Sequence, residues 1–297
     1  MTALQDTSVQ APPRTASERL ARFVSRSPTH IILGLIGLVW MVPTIGLLIT
    51  SFRPSADMRS TGWWTVLVEP RFTTANYERV LAGEGMGEAF LNSIWITVPS
   101  TLLPLVVAAM AAFALAWVKF PFRDTIFLLI VAALMVPVQI GFIPLVTAMR
   151  ESGVPLLTTY GGVWLAHTAY ALPFGIFLLR NFFITLPKDL IEAARIDGAS
   201  NLAIFRMIIV PLSVPAIAAY GIFQFLWVWN DLLMALVYTQ RNELQPMTVE
   251  VTRLLGTYAS EWSLLAAAAF VIMVVPLVVF ISLQRFFVQG LLAGSVK

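Results

Sequence analysis

The chain has no cysteine, which excludes disulfides, thiolate metal sites and a cysteine nucleophile and leaves the redox compartment unreadable. Charge is scarce as well. Asp, Glu, Lys and Arg make up 12% of 297 residues, roughly half the share of a soluble domain. So few charges cannot cover a globule of this size, and the alternative is a surface that faces lipid. Lysine occurs only at Lys119, Lys188 and Lys297, never after glycine or before serine or threonine. The phosphate-cradling P-loop is therefore absent, and the chain cannot be an ATPase. Histidine is limited to His30 and His167, which rules out a HExxH zinc site, and no Gly-x-Ser-x-Gly elbow exists. Basic residues do not cluster on a polar face, so nucleic acid is not an expected partner. No repeat at a fixed period is present. Thirty mostly polar residues precede the first apolar run, which is too long for a signal-peptide core.

What remains is 58% hydrophobic, with a mean hydropathy of +0.82. Crossing about 30 Å of hydrocarbon takes roughly 20 apolar residues in a helix. Six such runs stand out, at about Ile31–Phe52, Leu91–Val118, Ile126–Met149, Gly161–Leu179, Val214–Tyr238 and Leu264–Gln284. Several contain proline, which membrane helices tolerate. The expected organisation is a cytoplasmic tail over 1–30, with a short interfacial helix near Ser17–Val24, followed by a membrane domain over 31–297. With the N-terminus inside, twelve basic residues fall on the inner flanks and seven on the outer. This places both termini and the segment Pro187–Pro211 in the cytoplasm.

That segment changes character between apolar runs. Pro187 suits a helix start, and Leu190, Ile191, Ala193, Ala194 and Ile196 continue it, with Glu192 and Arg195 at i, i+3. Gly198 can take the left-handed turn that stops a helix. Ser200 is a candidate N-cap for a second short helix through Asn201–Met207, with Pro211 marking entry to the fifth span. Ala193 and Ala194 leave a flat strip, while Phe205, with Ile204 and Ile208, is expected to present apolar side chains to a partner groove. An ordinary amphipathic connector is the plainer alternative.

Glu192-Ala193-Ala194, Gly198 and Pro211 resemble the EAA loop of permease subunits in ATP-binding-cassette importers. Asp197-Gly198-Ala199, Phe72-Thr73-Thr74-Ala75-Asn76-Tyr77, Asn92-Ser93, Pro173-Phe174, Trp229-Asn230-Asp231 and the ending Ala293-Gly294-Ser295-Val296-Lys297 are similar to the carbohydrate branch, the α-glucoside permeases among them. The resemblance implies an all-α membrane protein, with six transmembrane helices and a cytoplasmic helix–turn–helix coupling loop. It implies that Glu192, Ala193, Ala194, Asp197, Gly198, Phe205 and Pro211 face the ATP-hydrolysing subunit. It also implies a second permease, two ATPase subunits holding ATP and Mg, an extracytoplasmic solute-binding protein and a sugar, with no cofactor in this chain.

On the fifth run Tyr220, Gln224, Trp227 and Asp231 fall at i, i+4, i+7 and i+11, one helical face. Aromatic faces and hydrogen-bonding groups suit a sugar path, to which Asn230, Gln139 and His167 are added as candidates. Helix–helix packing is the rival reading of the same stripe. An importer for another solute class shares the loop. An ion-coupled secondary transporter is disfavoured because it needs intramembrane acids and usually a repeat.

Overall fold

The computed structural model describes residues 16–83 and 85–293, with side chains described over 28–83 and 85–284. The ending Gly294–Lys297 and residues 1–15 lie outside the described residues. Fourteen α-helices follow in order among them: α1 (Ala16–Ser51), α2 (Ser55–Ser60), α3 (Ala75–Gly83), α4 (Met86–Trp117), α5 (Arg123–Ala133), α6 (Phe142–Glu151), α7 (Gly161–Phe183), α8 (Lys188–Ile196), α9 (Asn201–Ile204), α10 (Val210–Leu212), α11 (Val214–Trp229), α12 (Leu233–Tyr238), α13 (Met247–Thr257) and α14 (Trp262–Ala293). No strand occurs among the described residues.

Four helices are long and apolar enough to cross a membrane, and the number rises to six if each of two bent pairs is one span. The first apolar run continues backwards without a break, so the separate helix expected near Ser17–Val24 is the start of α1. The third run is not straight. Its two pieces, Arg123–Ala133 and Val138–Glu151, meet at 97°. Leu134, Met135 and Val136 tighten into three-residue turns onto Val131, Ala132 and Ala133, and the residue before Pro137 is pushed out of the helical region. The fifth run starts as expected at Val214, after a 78° bend that separates it from Asn201–Leu212. It ends early, at Trp229 rather than Tyr238.

α4 is the central strut. It packs along α7, α11 and α13, while α14 packs on α11, α1 and α3. One core cluster lies at the end where α4 and α7 finish, built from Ala108, Ala112, Phe113, Leu179, Phe183, Ile191, Ile204 and Ile209. Two more lie at the far end. One gathers Val80, Met86, Met247 and Leu264 around Trp229, and the other gathers Val163, Ala166, Met234 and Tyr238. α1 stays outside these clusters, with Trp40 77% exposed, as a lipid-facing or partner-facing helix would be.

Prolines inside the spans remove backbone donors, and at Pro99, Pro104 and Pro276 a neighbouring helix supplies a substitute. Pro99 leaves the Trp95 carbonyl without its helical partner, and Trp164 Nε1 donates to that oxygen at 2.8 Å. Pro104 leaves Ser100, whose carbonyl accepts from Gln224 Nε2 at 3.2 Å. Pro276 leaves Ile272, whose carbonyl accepts from Trp229 Nε1 at 3.1 Å. With no water in hydrocarbon to solvate these oxygens, such side chains let the helices keep their prolines.

Candidate functional site

At the loop end, α8 and α9 form the expected helix–turn–helix. Pro187 (φ −58, ψ 120) occupies the N-cap position of α8. Gly198 takes φ +79, the left-handed conformation that costs an L-residue roughly 1–2 kcal/mol. The turn is closed by bonds from Gly198 N to Arg195 O and from Ala199 N to Ala194 O. Ser200 Oγ then accepts from Ala203 N at 3.2 Å, capping α9. Ile191 is 1% exposed and seats α8 in the core, while Arg195 reaches over to donate to the Trp117 carbonyl at 2.6 Å. Arg195 thus ties the loop to α4.

The second helix differs from the expectation. It runs for one α-turn, widens into a π-turn over Phe205–Ile209, and closes as α10. Pro211 has no N–H for the Met207 carbonyl, and a one-residue register change accommodates it. Phe205 is corrected too. Its ring lies 5.3 Å from that of Phe113, and Ile204 is buried, so both face the chain's own core. The apolar side chains left outward on α8 and the second helix are Leu190, Ile196, Leu202 and Met207, 48%, 86%, 59% and 71% exposed. Glu192, Ala193, Asp197 and Gly198 are exposed and Ala194 half-buried, so these form one open face with Ile196. Pro211 is exposed beyond the π-turn.

Between the α5–α6 bend, α7 and α11 lies a cavity of about 510 Å³. Tyr170, Phe174, Phe223 and Trp227 line it together with His167, Gln224, Pro137, Val138 and Gly141. No Lys, Arg, Asp or Glu belongs to its lining. The rings form a ladder, with Phe174 and Phe223 5.0 Å apart and Phe223 and Trp227 5.9 Å apart. Gly141 is needed for the close approach of the bend to α7, because a Cβ there would stand 2.5 Å from the Tyr170 hydroxyl. A space this size, mostly apolar with few polar groups, has the makeup of a small-molecule site.

The proposed α11 stripe does not stay on one face of the cavity. Gln224 and Trp227 reach it, the first 4% and the second 51% exposed. Tyr220 is fully buried elsewhere, its hydroxyl donating to the Ala171 carbonyl at 3.1 Å. Asn230 is exposed and folds back to the Leu226 carbonyl. Asp231 has left the helix, and its Oδ2 accepts from Met234 N and Ala235 N as the cap of α12. His167 lines the cavity, 3.9 Å from that carboxylate. Gln139 sits exposed on the short turn Val138–Gly141, outside the cavity lining. The walls supplied by Ala133, Leu134, Val136, Pro137, Val138 and Met234 were not among the expected site residues. Their signal was Pro137 in the middle of an apolar run.

The far end is stitched by side chains to backbone. Asn76 Nδ2 donates to the Ser51 and Arg53 carbonyls that α1 leaves open, at 2.9 Å each, and Tyr77 bonds Ser51 Oγ. Asn92 Nδ2 donates to the Glu243 and Gln245 carbonyls, its Oδ1 accepts from Tyr160, and Ser93 Oγ accepts from Met247 N. Arg79 holds Glu261 at 2.6 Å, and its hydrogen bond to Tyr258, then that to Glu261, raise its guanidinium above the ordinary arginine value. Among the described residues no group of acids, histidines or cysteines could hold a metal.

Comparison with known proteins gives consistent matches. The family model for the binding-protein-dependent transport system inner membrane component matches residues 105–292. An osmoprotective compounds uptake permease protein of Synechocystis is 52% identical over 286 residues, 95% of each chain. An alpha-glucoside transport system permease protein of Rhizobium meliloti is 46% identical over 83% of this chain and 68% of its own. In fold, the chain matches a crystal structure of a bacterial transporter that imports the acidic polysaccharide alginate. That match has a TM-score of 0.73 at 22% identity, over 93% of this chain and 99% of the other.

Proposed function

The chain belongs to the family of binding-protein-dependent transport system inner membrane components, and we propose that it carries a neutral sugar, an α-glucoside, through a path to which the α7–α11 cavity contributes. It is a carbohydrate importer permease subunit and not an enzyme. The working assembly adds a second permease, two ATPase subunits that hold ATP and Mg, and an extracytoplasmic solute-binding protein. Both termini and α8 face the cytoplasm. Closure of the ATPases on ATP presses the face of Glu192, Ala193, Ala194, Asp197 and Gly198. Seated by Ile191 and held by Arg195, α8 moves as a unit with the ends of α4 and α7, and the bundle changes the side to which its path opens.

The observation that carries the substrate class is the cavity lining. Aromatic faces stack on the C–H faces of a pyranose, His167 offers a hydrogen bond, and the lining holds no Lys or Arg to neutralise an acidic sugar. The 46% identity to an alpha-glucoside permease supports the finer choice. The 52% relative, named for osmoprotective compounds, favours a small compatible solute as the second reading. Cells lacking this chain, given a panel of radiolabelled neutral glycosides, acidic sugars and amino acids, are expected to lose α-glucoside uptake and regain it on complementation. Trp227→Ala is expected to raise KM about fivefold through one lost stacking contact. Loss confined to acidic sugars or amino acids would overturn the reading.

A further inference from the structure

The sequence places Gln224 among the groups expected to meet the solute, yet its amide nitrogen already donates inside the protein. It is 4% exposed, and Nε2 donates to the Ser100 carbonyl on α4. That oxygen is the one Pro104, four residues on, cannot serve for want of an N–H. Gln224 therefore substitutes for a missing helical hydrogen bond from the neighbouring helix. Gln224 itself lines the cavity while Ser100 lies behind it, and the tie is one turn from where Gly221 faces the Leu105 side chain at the α4–α11 contact.

We infer that Gln224 is a positioning residue, which keeps α11 in register with α4 at Pro104 and so sets where the cavity-lining Phe223 and Trp227 stand, rather than a residue that binds sugar. The inference rests on the cavity being part of the transport path. A buried acceptor left unmade in hydrocarbon is expensive, so register across this contact depends on one side-chain amide. Trp164 on Trp95 and Trp229 on Ile272 do the same at Pro99 and Pro276. Of these three donors, only Gln224 lines the cavity.

The test is a rescue across helices, with uptake measured in cells carrying the whole importer. Gln224→Leu is expected to lower the maximal uptake rate about tenfold, the cost of an orphaned buried acceptor, with little change in KM. Adding Pro104→Ala gives Ser100 a backbone donor again and is expected to restore the rate. Normal uptake in Gln224→Leu overturns the inference. So does a raised KM that Pro104→Ala does not correct, since a sugar contact cannot be replaced from inside α4.

Should Pro104→Ala alone abolish uptake, a second measurement decides. With no native cysteine in the chain, Leu105→Cys and Gly221→Cys can be joined by a short thiol cross-linker. Gln224→Leu is expected to slow that joining several-fold, and an unchanged rate overturns the inference. Trp227→Ala in the same uptake assay separates the two readings. If it leaves KM unchanged while the rescue works, the cavity reading fails and the tie stands.

Discussion

Asn76, Asn92, Ser93 and Asp231 at the far end each bond backbone groups of another segment or of the next helix, whereas α8 at the loop end is seated mainly by apolar side chains such as Ile191 among Phe183, Leu179 and Phe113. The far end is made of short irregular pieces, α2, α3, α12 and the turns around Glu243. Their open carbonyls and N–H groups need partners at fixed angles, and asparagine supplies two donors and an acceptor from one side chain. The loop end relies on contact area with a single directional tie, Arg195 to the Trp117 carbonyl, because α8 and α9 satisfy their own backbone through the Gly198 turn and the Ser200 cap. Non-directional burial lets such an element shift without breaking hydrogen bonds one by one. On the proposed coupling role, that difference separates a part that must hold its shape from a part that must transmit a push.

Two substitutions test the contrast from opposite sides. Ile191→Ala removes the buried anchor of α8 and is expected to cost about 2–5 kcal/mol at the loop end. Detergent-solubilised complexes should then show loss of the ATPase subunits on co-purification and loss of uptake. The thermal stability of the far end should be unchanged. Retained ATPase association with normal uptake would mean that the apolar seat does not hold the loop. Asn92→Ala is expected to be smaller, about 1–3 kcal/mol from unmade bonds to partly buried carbonyls. Its signature is faster amide exchange over 240–250 with ATPase association intact. If it released the ATPases as Ile191→Ala does, the two ends would not be mechanically separate.

The loop was legible because its signals are local. Pro187, Gly198 and Ser200 each act on backbone within a few residues, and all three do what their chemistry demands. Six apolar runs were legible for the same reason, since hydropathy depends only on composition along the run. The bends were less so. Pro137 lies between two helices set at 97°, while Pro99 and Pro104 are accommodated inside an unbroken α4. In α4 donors from other helices, Trp164 and Gln224, reach the freed carbonyls, and such long-range partners leave no mark in the local sequence. The α11 stripe failed for a related reason. Its spacing was right, but Tyr220 found α7, Gln224 found α4, and Asp231 found the N–H groups of α12 once the helix had ended at Trp229. Phe205 misled because aromatic exposure was inferred from its place outside the spans, whereas the π-turn before Pro211 carries it back onto Phe113.

The smallest predicted effect isolates the turn from the seat. Ser200→Ala removes the oxygen that accepts from Ala203 N and leaves Ile191, Ile204 and their burial untouched. Loss of such a cap costs about 1 kcal/mol, too little to unseat α8 if the apolar contacts carry it. The expected result is a measurable drop in uptake rate with ATPase subunits still bound. Ser200→Asp, which keeps an acceptor at the start of α9, is expected to recover most of the loss. A Ser200→Ala variant that lost its ATPases would mean that the directional cap, and not the hydrophobic socket, holds the loop in place, and the contrast between the two ends would fail at the end where it matters for coupling.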